Sequence, residues 1–135
     1  TPRDIYRWLA SVYRALGDGE AALDSARRAL EGMEATGKPS EQAICYALLG
    51  DVHGSGLLAE SSPPEPFFER ALALVAEEEH RLYGKGLVLR IYGGYLLRSG
   101  DRARGRALLR EAMEIFERIG AEGERRKARA LLETG

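Results

Sequence analysis

The 135-residue chain has no asparagine, one cysteine and three lysines, against 17 arginines. With a single Cys45 no internal disulfide can form, and a reducing, cytoplasmic setting is expected. The preference for Arg over Lys, together with the missing Asn, matches GC-rich bacterial coding, which speaks of origin and not of activity. Nor is there an excess of one charge. Twenty basic residues face 21 acidic ones, a formal net charge of −1, so no bulk attraction to nucleic acid or a membrane is implied. No apolar run approaches the length of a membrane span, and no basic-then-apolar signal opens the chain. It begins at Thr1 without a Met, as expected of a piece of a longer protein. Strand-like alternation is absent over any useful length, which excludes a sheet.

What the chain does have is repetition. At 44% hydrophobic and 30% charged residues it reads as one soluble globular domain, residues 1–135. Three segments align: "SARRALE" from Ser25, "FERALA" from Phe68 and "LREAMEIF" from Leu109. Their shared alanines, Ala29, Ala71 and Ala112, lie 42 and 41 residues apart and precede Leu30, Leu72 and Met113. Gly17-Asp18 and Gly100-Asp101 mark equivalent turns. Each unit reads as two helices, with a Gly stop and an Asp or Ser cap. Leu9, Val12, Tyr13 and Leu16 recur at helical spacing before Gly17. Ala22, Ala26, Ala29, Leu30 and Met33 then share one face of the second helix. Ser40 is expected to cap the third. The repeats fall roughly at residues 3–38, 39–80 and 81–120, with a polar capping helix over 121–135. The expected fold is all-α.

Leu9, Ala10, Tyr13, Gly17, Asp18, Ala22, Ala29 and Leu30 follow a pattern that resembles the tetratricopeptide repeat (TPR) superfamily. Leu49, Gly50, Ala71 and Leu72 continue it, with His53 where the family prefers Tyr; Gly93, Gly100, Asp101 and Ala112 form the third copy. The resemblance implies a right-handed superhelical solenoid of antiparallel helix hairpins. Its long period is similar to repeats in large bacterial multidomain signalling proteins, implying a regulatory or scaffolding module for protein–protein interaction. An effector-sensing arm that holds a small ligand in its concave groove is the alternative. The family members that clamp a terminal carboxylate use Asn, which this chain lacks.

Chemical motifs are sparse. "GMEATGKPS", residues 32–40, satisfies most of the phosphate-loop pattern, but Pro39 stands where Ser or Thr should reach magnesium and no strand precedes it. Gly37 and Pro39 instead suit a helix end. Cys45 and His53 are eight residues apart on one helix, about 12 Å, too far to share a metal. Cys45 reads as core, and His80 beside Glu77-Glu78-Glu79 as a solvated helix end. With no convergent catalytic set, no enzyme activity, cofactor or metal site is expected. "GSGLLAESSPPEP", residues 54–66, reads as an exposed connection with Pro66 opening the next helix.

In the family the first helix of each repeat lines the concave face. Aligned repeats place Arg7, Ala47 and Arg90 at one position and Ser11, Asp51 and Gly94 at the next, with Arg14 and Arg98 about a turn further. Arg7, Ser11, Arg14, Asp51, Arg90 and Arg98 are therefore the candidate groove residues, with Arg7 and Arg90 on either side of Asp51. Arginine favours carboxylate recognition, so a protein or peptide partner of acidic character suits this stripe. An internal Arg–Asp51 ion pair among solvated arginines suits it equally, and both readings stay open.

Overall fold

The structure, a computed structural model, describes residues 2–36, 38–76 and 82–134. Seven helices account for most of them: α1 (Pro2–Leu16), α2 (Gly19–Thr36), α3 (Pro39–His53), α4 (Glu65–Val75), α5 (Leu82–Ser99), α6 (Arg102–Ile119) and α7 (Glu122–Thr134). No strand occurs among the described residues. The all-α expectation holds.

The turn chemistry explains where helices stop. Gly17, Gly100 and Gly120 each adopt positive φ, at 84°, 101° and 75°. The residue after each glycine donates back to the helix it leaves: Asp18 to the Tyr13 carbonyl, Asp101 to Leu96 and Ala121 to Phe116, at 2.8–2.9 Å. This left-handed cap satisfies carbonyls that would otherwise lack partners. The aspartates then begin the next helices, Asp18 accepting from Ala21 N–H at 3.1 Å and Asp101 from Arg104 N–H at 3.4 Å. The sequence-level Gly-Asp turn is thus a stop and a start in two residues.

Ser40 departs from expectation. The helix starts two residues earlier than a Ser40 cap would set it, with Pro39 in its first turn after an extended Lys38 that makes no side-chain cap. Proline's fixed φ suits a first helical position, where its missing N–H costs nothing. Ser40 is instead buried against α5, where a Cβ on Gly84 would lie 3.0 Å from its own Cβ. Lys38 and Pro39 open a helix, and no strand precedes them among the described residues. Gly37, Glu77-Glu78-Glu79 and His80 lie outside the described residues.

Each helix packs on the next in sequence. The odd-numbered helices also pack in a row, α1 on α3, α3 on α5 and α5 on α7. The second helices fit between neighbours: α2 contacts α1 and α3, α4 contacts α3 and α5, and α6 contacts α5 and α7. Helices α3 and α5 therefore bury most of their circumference, which is why their apolar residues do not form a single stripe. Ala29, Ala71 and Ala112, the repeat markers, are each fully buried.

Small residues set the closest approaches. A Cβ on Gly50 would sit 2.8 Å from the Phe68 ring, and one on Gly105 would sit 2.9 Å from the Gly93 carbonyl oxygen. Phe68 fills the space above Gly50 and stacks on Tyr92 at 4.4 Å between ring centroids and on Tyr95 at 5.1 Å. Burying such a ring contributes about 1.5–3 kcal/mol. Cys45 lies against Ala29 and Met33, with no exposed surface.

The connection between α3 and α4 spans residues 54–64, two short of the sequence expectation because Glu65 and Pro66 form the first turn of α4. Its tip, residues 59–63, is exposed, but its ends are tied down. Ser55 Oγ donates to the Val52 carbonyl at 2.6 Å and accepts the Leu57 N–H at 3.1 Å. Leu58 packs on the main core.

Candidate functional site

Because the odd helices lie side by side, their polar positions face one groove. It contains a cleft of about 330 Å³. From α1 come Trp8, Ser11 and Arg14; from α3, Asp51; from α5, Arg90 and Arg98; and from α7, Lys127 and Leu131. A second cleft adjoins it, shares Trp8, Ser11 and Arg90, and adds Arg7, Tyr83 and Glu124. All six residues nominated from sequence therefore line one continuous surface.

The internal Arg–Asp51 ion pair, one of the two readings left open above, is formed. Arg14 and Arg98 make it, while Arg7 and Arg90 have other partners. Arg14 Nε lies 2.5 Å from Asp51 Oδ2, and Arg98 Nη2 donates to Asp51 Oδ1. One carboxylate thus joins α1, α3 and α5. The reason is reach: Arg14 and Arg98 stand near the ends of their helices and lean across to α3, whereas Arg7 is engaged by Asp4 one turn earlier at 3.1 Å. Arg90 turns to Glu124 of α7 at 3.3 Å, and Lys127 donates to the same carboxylate at 3.0 Å.

The electrostatics follow from burial. Only 9% of the Asp51 side chain is exposed. Burial raises its carboxyl above the ordinary range, outweighing the opposite pull of Arg98, Arg14 and Arg90 in that order. The surrounding cations remain partly open, Arg98 at 42% and Arg14 at 30% side-chain exposure. Arg14 Nε, Arg90 Nε and Glu124 Oε2 are buried without an aligned hydrogen bond, although each lies beside an opposite charge. Five cations, Arg7, Arg14, Arg90, Arg98 and Lys127, thus meet three carboxylates, Asp4, Asp51 and Glu124, in the groove.

Three contributors escaped the sequence reading. Glu124 and Lys127 lie on the capping helix, whose rotation against α5 the repeat does not encode. Trp8 aligns with Leu48 and Ile91, core-like positions, yet 64% of it is exposed. Its signal was available, since an indole at the position of two aliphatics on the groove-lining helix is unusual company.

Metal and nucleophile chemistry has little to work with. No group of three or more His, Cys, Asp and Glu that could hold a metal ion occurs among the described residues. Burial pushes the Cys45 thiol up to about 12, the reverse of what a nucleophile needs. His53 stacks face to face on Phe67, with ring centroids 5.0 Å apart, and its Nδ1 accepts the Ser62 backbone N–H. No helix among the described residues is long and apolar enough to cross a membrane. No family model matches this chain, and no curated protein or solved structure matches it either.

Proposed function

We propose that this chain is a TPR-like protein–protein interaction module, a right-handed solenoid of three helix hairpins capped by α7. Its groove captures an acidic segment of a protein partner. The observation that carries the reading is the cationic excess of the groove: Arg7, Arg14, Arg90, Arg98 and Lys127 against Asp4, Asp51 and Glu124, beside an exposed Trp8. Guanidinium groups on an open surface suit carboxylates, and an indole next to them supplies the apolar anchor typical of peptide sites. In this reading the module is a cytoplasmic, regulatory segment of a larger bacterial signalling protein and does no chemistry of its own.

The test is binding of an N-acetylated, C-amidated hexapeptide alternating glutamate and leucine, read by the fluorescence of Trp8, the chain's only tryptophan. Arg98→Gln combined with Lys127→Gln should weaken binding. Because it leaves Asp51 with Arg14 alone, a lower melting temperature is expected, and affinity is compared at a temperature where the variant keeps the wild-type helical signal. Affinity should also fall with salt, because exposed charge attraction is screened over about 10 Å at 0.1 M. Unchanged affinity in the double variant would remove the groove from the mechanism. The cleft's volume of about 330 Å³ also lies at the lower end of small-ligand sites, which keeps an effector-sensing arm as the second reading. A metabolite that raised the melting temperature, with no acidic peptide bound, would favour it.

A further inference from the structure

Two arginines from different helices converge on one carboxylate, which belongs to the helix between them. The Asp51 side chain sits where α1 and α5 both reach, held by Arg14 at 2.5 Å and by Arg98. Both guanidinium groups line the cleft and keep part of their surface open to it. Arg14 Nε is buried without an aligned acceptor, so the pair is close but incompletely satisfied. A guest carboxylate entering the cleft meets the two cations best suited to it already occupied from below.

We infer that Asp51 is an internal occupant of the groove's anion site: its carboxylate holds the arginine pair that a partner's carboxylate must take over, and so sets the affinity. The inference rests on the groove reading above and deepens it. Geometry supports an exchange. Asp51 is fixed to the floor of the groove, while Arg98, at the end of α5, has 42% of its side chain free and can turn outward. Raising the cost of losing Asp51 excludes weakly charged guests, a form of selectivity by competition. Partners with two or more closely spaced carboxylates are favoured, because one can engage Arg98 while another draws on Arg90 or Lys127 beside it. Glu124 of α7 plays a similar part, engaging Arg90 at 3.3 Å and Lys127 at 3.0 Å.

The experiment compares wild type, Asp51→Asn and Arg98→Gln in binding the glutamate–leucine hexapeptide, with a glutamine–leucine hexapeptide as the uncharged control. Asparagine keeps the shape of Asp51 and removes the competing charge. Asp51→Asn should bind the acidic peptide about tenfold more tightly than wild type, a modest change on the affinity scale. Arg98→Gln should bind it more weakly, and the uncharged peptide should distinguish none of the three. A folded Asp51→Asn chain that binds no more tightly than wild type overturns the inference while leaving the groove reading in place. If neither wild type nor Asp51→Asn binds, both fail together. Should Asp51→Asn lose its helical signal, the decisive measurement is the carboxyl carbon resonance of Asp51 in the wild-type chain. Saturating peptide must shift it, and an unmoved resonance overturns the exchange.

Discussion

His53 Nδ1 accepts the backbone N–H of Ser62 at 3.1 Å, so the last residue of α3 holds the far end of the loop that follows it. An imidazole can accept there only while neutral. Burial, then the charge of Arg27, lowers the pKa of His53 below its ordinary value. A folded pKa below the unfolded one gives stability that is present above the unfolded pKa, about 6.5, and is lost as pH falls through the folded value. Protonation sets an N–H against an N–H. The amide of Ser62 should therefore lose hydrogen-exchange protection on acidification, before the helices open. His53→Phe should abolish that protection at every pH. Protection that is flat across the acid range would show the loop to be held by Leu58 and Ser55 alone.

Cys45 should behave as a buried apolar residue. Its thiol, pushed up to about 12 by burial, is raised above the ordinary value near 8.5. A raised folded pKa gives stability that is full below the unfolded pKa and is lost as pH rises through the folded one. A disulfide reagent at pH 8 should modify Cys45 only at the rate of unfolding, and Cys45→Ala should flatten the alkaline loss of stability relative to wild type. Rapid modification of the native chain would contradict the burial.

Two glycines on helices should respond oppositely to alanine. Alanine at Gly105 places its Cβ 2.9 Å from the Gly93 carbonyl oxygen and 3.0 Å from Leu97 N, backbone atoms that cannot turn aside. The gain in helix propensity, about 1 kcal/mol, is outweighed by overpacking of about 1–3 kcal/mol. Gly123 lies on exposed α7 with nothing within 4 Å of its would-be Cβ. There Gly→Ala should stabilise by about 0.5–1 kcal/mol. Urea denaturation of both variants checks the pair, and stabilisation by Gly105→Ala would mean that α5 and α6 stand further apart.

The helices were legible because local chemistry decides them. Gly17-Asp18 and Gly100-Asp101 act through backbone conformation and one short side chain, both of which sequence carries directly. The repeat also found Ala29, Ala71 and Ala112, since close helix packing at those points demands small residues. Ser40 misled because a good capping residue follows a better helix starter, Pro39. The groove was legible as a surface, and an internal Arg–Asp51 pair was one of its two readings, but not which arginines make it. Repeat alignment compares Cα positions, and by that measure Arg7 and Arg90 flank Asp51. An arginine side chain spans more than a helical turn, so Arg14 and Arg98 reach Asp51, while Asp4 and Glu124 take the nearer two. Consequently Arg90→Glu, a natural way to test the stripe, would set two carboxylates together at Glu124 and confound binding with stability.

Trp8 and Leu48 occupy equivalent places in successive repeats but carry different loads. Leu48 is 4% exposed and belongs to the main core, on a helix that packs against α1, α2, α4 and α5. No described helix covers α1 in the same way, and Trp8 is left 64% exposed at the groove's edge. Leu48→Ala should cost about 2–5 kcal/mol, the usual penalty for a cavity in a packed core. Trp8→Ala should cost about 1 kcal/mol or less, since surface substitutions seldom do more. Binding should reverse the order: Trp8→Ala loses the indole an acidic, apolar peptide would lean on, and affinity should drop several-fold with melting nearly unchanged. Calorimetric titration with the glutamate–leucine hexapeptide measures it without using the indole as reporter. A Trp8→Ala chain that melts far below wild type would assign the indole to folding. Unaltered affinity in a normally melting variant would confine recognition to the arginines.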